Sequence, residues 1–462
     1  MSALNSSCSH RELQVELSPY AATVGFRRPD LRKRIAATTP SGRYRPTAKA
    51  TRKTGVGEPE DEKEREMDEQ ESAFTFPAPL VLPNDDLALD PKYPPQSLRS
   101  WLQLKDRNKV TNQRKTIYIA AVPTIADDLS VMHKWSSPAL TDEPDSRGKR
   151  KCAIESSIKS PKLQDLQDYL VAFYHGFPIT EFHRSFNFVA CDNWSDKKTA
   201  STYVGIQCGD FHTRIRTRPC PDDLFGRQLN LNDILDALIE LLPPKAYAFL
   251  LLVDHDLYED DDDFCCGRAY GGSRVAIVSS ARYHPSLDKV YSIDRRHMWP
   301  ASHCKAYTDL LSNTSAKEKK AVEAGRGLVD SGTPMRAAVD AAMHADFLPQ
   351  SNDGLYGVWL SRVARTVSHE LGHCFGMDHC VYYSCVMQAT AGIAEDVRQP
   401  PFLCPVCLKK LAKAALECRL DSGEDHYVQE RDIILRQFCK KWTSVGMFAG
   451  FGAWLDRKST IQ

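Results

Sequence analysis

His369-Glu370-Leu371-Gly372-His373-Cys374-Phe375-Gly376-Met377-Asp378-His379 is the stretch on which the reading of this chain turns. Its pattern is H-E-x-x-H-x-x-G-x-x-H. On a helix, residues four apart share a face, so His369 and His373 can bring both imidazoles to one metal ion. Glu370, beside the first histidine, can reach a water held on that ion. Gly376 lets the chain leave the helix in a conformation that other residues avoid, so that His379 swings back as a third ligand. Three protein ligands leave a fourth position open, which separates a catalytic zinc from a structural one. Two histidines and a glutamate can fall together by chance, but Gly376 and His379, both in register, argue against chance here.

Four cysteines follow at once: Cys380, Cys385, Cys404 and Cys407. Cys404-Pro405-Val406-Cys407 is a C-x-x-C that suits one corner of a tetrahedral zinc, and Cys380 with Cys385 supplies the other. Four thiolates leave no place for water, so this second zinc is expected to be structural. Cys380 directly follows His379, and Met387 lies two residues after Cys385. A zinc on the four cysteines therefore braces the loop that carries the third histidine.

The combined pattern resembles the archaemetzincins, a metzincin family of zinc peptidases. The match is strong over residues 355–410. It is weaker through Val253-Asp254-His255-Asp256-Leu257-Tyr258 and through residues 271–279. The resemblance implies an α/β (α+β) fold of the metzincin-like zincin kind, a mixed twisted sheet with an active-site helix. It implies His369, His373 and His379 as ligands of a catalytic zinc, with Glu370 as general base. It implies Cys380, Cys385, Cys404 and Cys407 as ligands of a structural zinc, hence two zinc ions per chain. Met387 takes the place of the Met-turn that lies under the metal.

Composition bounds the alternatives. The 462 residues carry 60 Lys and Arg against 60 Asp and Glu, a net charge of zero. That balance gives no reason to expect nucleic acid or a membrane as the main partner. The longest apolar run, Ala246 to Val253, suits a buried strand and is far too short to span a bilayer. Polar residues from Ser6 to Glu16 stand where a secretory signal needs an apolar stretch. The 15 cysteines are therefore expected to stay reduced. An intracellular, cytoplasmic monomer is the expectation, with a nuclear location left open by Arg147-Gly148-Lys149-Arg150-Lys151. The Arg- and Ser-rich segment up to Lys53 also suits a mitochondrial transit peptide, against which Glu12, Glu16 and Asp30 count.

Residues 1–94 read as a disordered, charged N-terminal region with a Pro-rich linker. It is basic to residue 56 and acidic over 58–71. Residues 95–462 read as one peptidase domain, with polar insertions near 138–162 and 305–335 and C-terminal helices over 408–442. Within it the pattern predicts strands at 116–122, 202–208, 213–217, 246–253 and 274–280. The last of these is expected at the sheet edge beside the cleft. Helices are predicted at 163–174, at 231–242 with a cap at Asn230 or Asn232, and at 355–374.

The function expected is hydrolysis of peptide bonds by Glu-assisted attack of a zinc-bound water, with an aminopeptidase-like preference if the acidic residues from Glu259 to Asp263 meet a substrate amine. The competing reading is a catalytically silent, zinc-braced protein that holds peptides in the same cleft. Intact Glu370 argues against it, since binding alone needs no base. A nucleic-acid-binding knuckle is the third reading, but no basic and aromatic surface surrounds the cysteines. Tyr382 and Tyr383 read as packing residues, and Cys374 as core. Cys265-Cys266, Cys191 and Cys208 have no metal partner in sequence. His255, His297 and His303 read as structural histidines. Cys8 as a thiolate reaching the catalytic zinc has only its being a cysteine in its favour.

Overall fold

Ala246–Val253 is an apolar octet in which every residue is buried, and the architecture is built around it. It is apolar throughout because it has neighbours on both sides and layers on both faces. In the computed structural model, the described residues are 8, 10–44, 73–139, 158–191, 202–261, 263–312, 332–345, 351–417 and 423–461. Five strands form the central sheet, in the order Gly267–Tyr270, Val275–Ser279, Ala246–Val253, Thr116–Ala120 and Ile179–Glu181. All neighbours are parallel except the first pair.

Side chains alternate along the octet, as the two-residue period of a strand requires. Ala248, Leu250 and Leu252 join the larger core with Leu166 and Leu170 of the Leu163–Phe173 helix and Val363, Val367 and Leu371 of the Asn352–Cys374 helix. Phe249, Leu251 and Val253 face the other way, into a second core with Leu231, Ile234, Leu235 and Leu238. Those four lie on the Leu231–Glu240 helix, whose start is capped by Asn230 accepting from the Asp233 N–H at 3.1 Å. A six-stranded sheet closes the second core through Phe188, Val204, Ile206, Ile215 and Leu229. The mixed α/β architecture expected from sequence is thus present, with the zinc-motif helix laid along the sheet.

Four expectations need correction. The strand at Val275–Ser279 is internal, paired on both sides, and the edge beside the cleft is the antiparallel Gly267–Tyr270. The segment 305–335 contains the Lys305–Leu311 helix and the start of the Pro334–His344 helix, while 313–331 lies outside the described residues. The C-terminal helices are Pro405–Leu416 and Glu424–Lys440, and a third, Gly446–Ile461, follows them. It packs on Pro334–His344.

The fourth correction concerns the N-terminal region. Residues 10–44 and 73–94, expected as solvated chain, fold onto the domain. Ala21, Phe26, Val81 and Leu87 share a small core with Val381 of the cysteine-rich loop. Arg28 Nε donates to the Tyr382 carbonyl at 2.7 Å, and the guanidinium groups of Arg28 and Arg34 lie 4.8 and 5.4 Å from the Tyr383 ring. Their charge is held over an aromatic face, so the basic composition did not mean solvation. The acidic run 58–71 and the basic cluster 147–151 lie outside the described residues. No helix among the described residues is long and apolar enough to cross a membrane.

Candidate active site

The Asn352–Cys374 helix ends where the sequence places its stop. Gly376 adopts φ +74°, a left-handed backbone that a side chain would strain. Its N–H reaches the His373 carbonyl at 2.8 Å, and the Met377 N–H reaches the Gly372 carbonyl at 3.2 Å. The Trp101 indole N–H caps the Phe375 carbonyl at 2.9 Å. These bonds satisfy the carbonyls left over at a helix end. The turn they fix returns His379 toward the helix, and one ring nitrogen from each of His369, His373 and His379 lies within 4.8 Å of the other two.

The hydrogen bonds of the rings show how the cluster fits a metal ion. His369 Nδ1–H donates to the Val386 carbonyl at 2.7 Å, and His373 Nδ1–H donates to the Met377 carbonyl at 2.8 Å. Both Nε2 atoms are thereby left as lone pairs, and they face each other 3.0 Å apart. Two such acceptors repel unless a cation lies between them, and a carbonyl behind each ring is the usual support of a metal-binding histidine. Burial holds the rings neutral: it lowers the His369 and His373 imidazolium and takes His379 down to about 4.

Two positioning residues come from the junction between the stretch read as linker and the start of the domain: Tyr93 in the first and Gln96 in the second. The Tyr93 hydroxyl donates to the Asp378 carboxylate, which also accepts from the His379 N–H at 3.0 Å. The Tyr93 and His379 rings lie 5.6 Å apart. Gln96 donates to the Gly376 carbonyl at 3.0 Å and accepts from the Asp378 N–H at 3.1 Å. Only the spacing of Tyr93-Pro94-Pro95-Gln96 is visible in sequence, and prolines there signal extended chain without naming what it touches.

Glu370 is buried between the helix and the edge strand. Burial pushes its carboxyl up to about 8, against the pull of Arg268. Beside it opens a cleft of about 940 Å³, lined by the three histidines, Glu370 and the edge-strand residues Gly267, Arg268 and Ala269. A Cβ on Gly267 would stand 2.9 Å from Glu370 Cγ and 3.0 Å from its Oε1. Gly267→Ala is therefore expected to displace the carboxylate and lower kcat about 10²-fold with zinc content unchanged. Steady-state kinetics with metal analysis check it, and near-normal turnover would contradict the placement of Glu370.

Cys380, Cys385, Cys404 and Cys407 come together as buried free thiols beneath the loop. Cys380 and Cys404 Sγ lie 3.5 Å apart. The Met387 and Cys404 N–H groups both point to Cys385 Sγ, at 3.5 and 3.3 Å. Hydrogen bonds from the other three take the Cys380 thiol well below its usual value, while burial pushes Cys385 and Cys404 up. Four sulfurs within 4.8 Å of one another form a set that a dication would complete. Met387 joins the two clusters: its carbonyl accepts from the Cys380 N–H at 2.8 Å, and its Sδ lies 2.3 Å from where a Gly372 Cβ would be.

The remaining residues sort plainly. Tyr383 packs on Phe76 at 6.2 Å, and neither Tyr382 nor Tyr383 lines the cleft. Cys374 is core. His255 Nε2 meets the Met132 carbonyl at 3.2 Å, and His303 Nδ1 meets Ser302 Oγ at 3.0 Å. Cys265 and Cys266 line the cleft, but no group of metal-ligand atoms among the described residues includes them, Cys191 or Cys208. Cys8 and His297 lie away from the cleft, with each other.

Residues 338–413, which hold the three clustered histidines, Cys380, Cys385, Cys404, Cys407 and Met387, match Peptidase family M54. Archaemetzincin-2 of Homo sapiens is 29% identical over 185 residues, 40% of this chain and 41% of that protein. Archaemetzincin-2 of Mus musculus is 42% identical over 188 residues, 40% of this chain and 42% of that protein. The match therefore spans about two fifths of the length of these curated relatives. The solved archaemetzincin of Methanopyrus kandleri aligns at 15% identity over 66% of this chain and 97% of that one, with a TM-score of 0.31. The sequence resemblance to the archaemetzincins holds over the segment that carries the site.

Proposed function

We propose that this chain, archaemetzincin-like over residues 338–413, is a zinc-dependent metallopeptidase. The observation that carries the reading is a carboxylate, Glu370, set between three lone-pair imidazoles and an open sheet edge. His369, His373 and His379 would hold the catalytic zinc. When bound, that ion supplies Lewis acidity and brings the pKa of its water to about 7. With a dication held on the three histidines, which favours the ionised form against burial, Glu370 would take the proton from the attacking water onto its carboxylate and give it to the leaving amine. The free edge of Gly267–Tyr270 offers backbone donors and acceptors to an extended substrate, which lies along the cleft as an added strand.

Cys380, Cys385, Cys404 and Cys407 would hold a structural zinc, so these two clusters take two ions per chain. Met387 and the Cys380 N–H tie that ion to the turn bearing His379. The substrate class is a peptide or protein. Glu259 and Asp263 at the cleft rim support an aminopeptidase-like preference, although an incoming amine must compete with Arg268, which lies 3.1 Å from Glu259. A monomer in the cytoplasm or nucleus completes the reading, since reduced thiols in the four-cysteine cluster suit a reducing compartment.

Incubation with a diverse peptide library, read by mass spectrometry against zinc-replete Glu370→Ala, tests the proposal. Cuts made by the wild type alone are expected, and their positions separate end-trimming from internal cleavage. Identical peptide profiles for the two proteins would replace the peptidase with a zinc-braced binding protein.

A further inference from the structure

Cys8, His10, His297 and Cys304 form a third group of metal-ligand atoms, all within 4.8 Å of one another. It lies outside residues 338–413 and away from the cleft. Cys8 Sγ is 3.3 Å from His10 Nδ1 and 3.2 Å from Cys304 Sγ. That sulfur separation is far beyond the roughly 2.05 Å of a disulfide. His10, His297 and Cys304 are 2, 6 and 1% exposed. His297 Nδ1 meets the Asp294 carboxylate at 3.2 Å, while its Nε2 is buried with no hydrogen-bond partner. The Tyr307 ring stacks on His297 at 3.9 Å and fixes its plane. A carboxylate behind one ring nitrogen and a bare second nitrogen are the arrangement of a metal-binding histidine supported from outside the coordination sphere.

We infer that Cys8, His10, His297 and Cys304 bind a zinc ion, a structural site that fastens the N-terminal segment to the domain. Two thiolates and two imidazoles suit tetrahedral zinc, and four protein ligands close the site to water, so it carries no chemistry on substrate. The backbone around it is already paired. Leu13 bridges Cys304, the Gln14 N–H meets the His303 carbonyl at 2.5 Å, and the Lys305 N–H meets the Glu12 carbonyl at 2.9 Å. Arg336 donates to the His10 carbonyl at 2.6 Å. The segment so fastened carries Arg28 and Arg34 to Tyr382 and Tyr383, on the loop between Cys380 and Cys385. The third ion thus closes a chain of contacts from the N-terminus to the cysteine-rich loop. The inference does not depend on the chain being a peptidase.

Zinc per chain is measured on the full-length protein purified under reducing conditions, for the wild type and for Cys8→Ser/His10→Ala. The wild type is expected to hold one zinc more than the folded variant, with the ions of the other two clusters retained. An equal zinc content overturns the site. A second measurement needs no variant. Cys8 is only half-buried, so a small alkylating agent reaches it unless metal holds its sulfur. Cys8 is expected to be alkylated slowly in the zinc-loaded protein and at least tenfold faster after chelation. Equal rates, or a Cys8–Cys304 disulfide in non-reducing peptide maps, would also overturn it.

Discussion

Glu370→Gln is expected to retain every bound zinc while kcat falls about 10²–10⁴-fold, the range for loss of a positioned general base. Glutamine has the volume of glutamate, so the contact with Gly267 is kept and the helix is undisturbed. Glu370 is not one of the three clustered ligands, so the ring nitrogens of His369, His373 and His379 stay as they are. What is lost is a group that can take a proton from water. Parallel kinetics and metal analysis check this: a zinc-replete variant with near-normal turnover would remove Glu370 from the mechanism.

Cys404→Ser is expected to lose one zinc per chain, to lower the thermal midpoint, and to reduce turnover about 10²-fold although no cleft residue has changed. Structural zinc sites contribute about 10–16 kcal/mol in small zinc-finger peptides, so the brace is a large local term. Serine is the right replacement because Cys404 also stands at the N-cap of the Pro405–Leu416 helix. Serine caps helices well, so the helix is spared and the metal effect is isolated. Without the ion, Cys380 no longer anchors the turn after His379, and Met387 loses its fixed place under Gly372. Unchanged activity in a variant shown to lack that zinc would mean that the two clusters are independent.

The parts of this molecule legible in sequence are those whose partners are close along the chain. The three histidines span eleven residues and Gly376 marks the helix end, so local geometry decides the cluster. The four cysteines are nearly as local. Ala246–Val253 declared itself by apolar length, and the Leu231–Glu240 helix by its spacing and Asn230. The edge strand hid because Gly-Arg-Ala-Tyr is short and half-exposed, with neither alternation nor an apolar run. Gly446–Ile461 hid behind Gly446, Gly450 and Gly452, which weaken helix propensity; Phe448, Phe451, Trp454 and Leu455 hold it by packing. Arg28 and Arg34 read as solvated charge because an aromatic partner more than three hundred residues away leaves no trace in local composition. Cys8 and Cys304 are 296 residues apart, and C-x-H beside an isolated histidine and cysteine says nothing until the chain folds. Tyr93 and Gln96 belong to the same class.

In the function proposed, one zinc on His369, His373 and His379, with Glu370 beside it, drives peptide hydrolysis. Its most direct test is a metal titration of peptide cleavage. The more labile zinc is removed with a chelator, then restored in steps to the wild type and to Glu370→Ala. Cleavage is predicted to vanish with that ion and to return at one equivalent in the wild type only. Cleavage that survives removal of the ion from the three histidines, or that returns equally in Glu370→Ala, would rule out zinc-dependent hydrolysis with Glu370 as base.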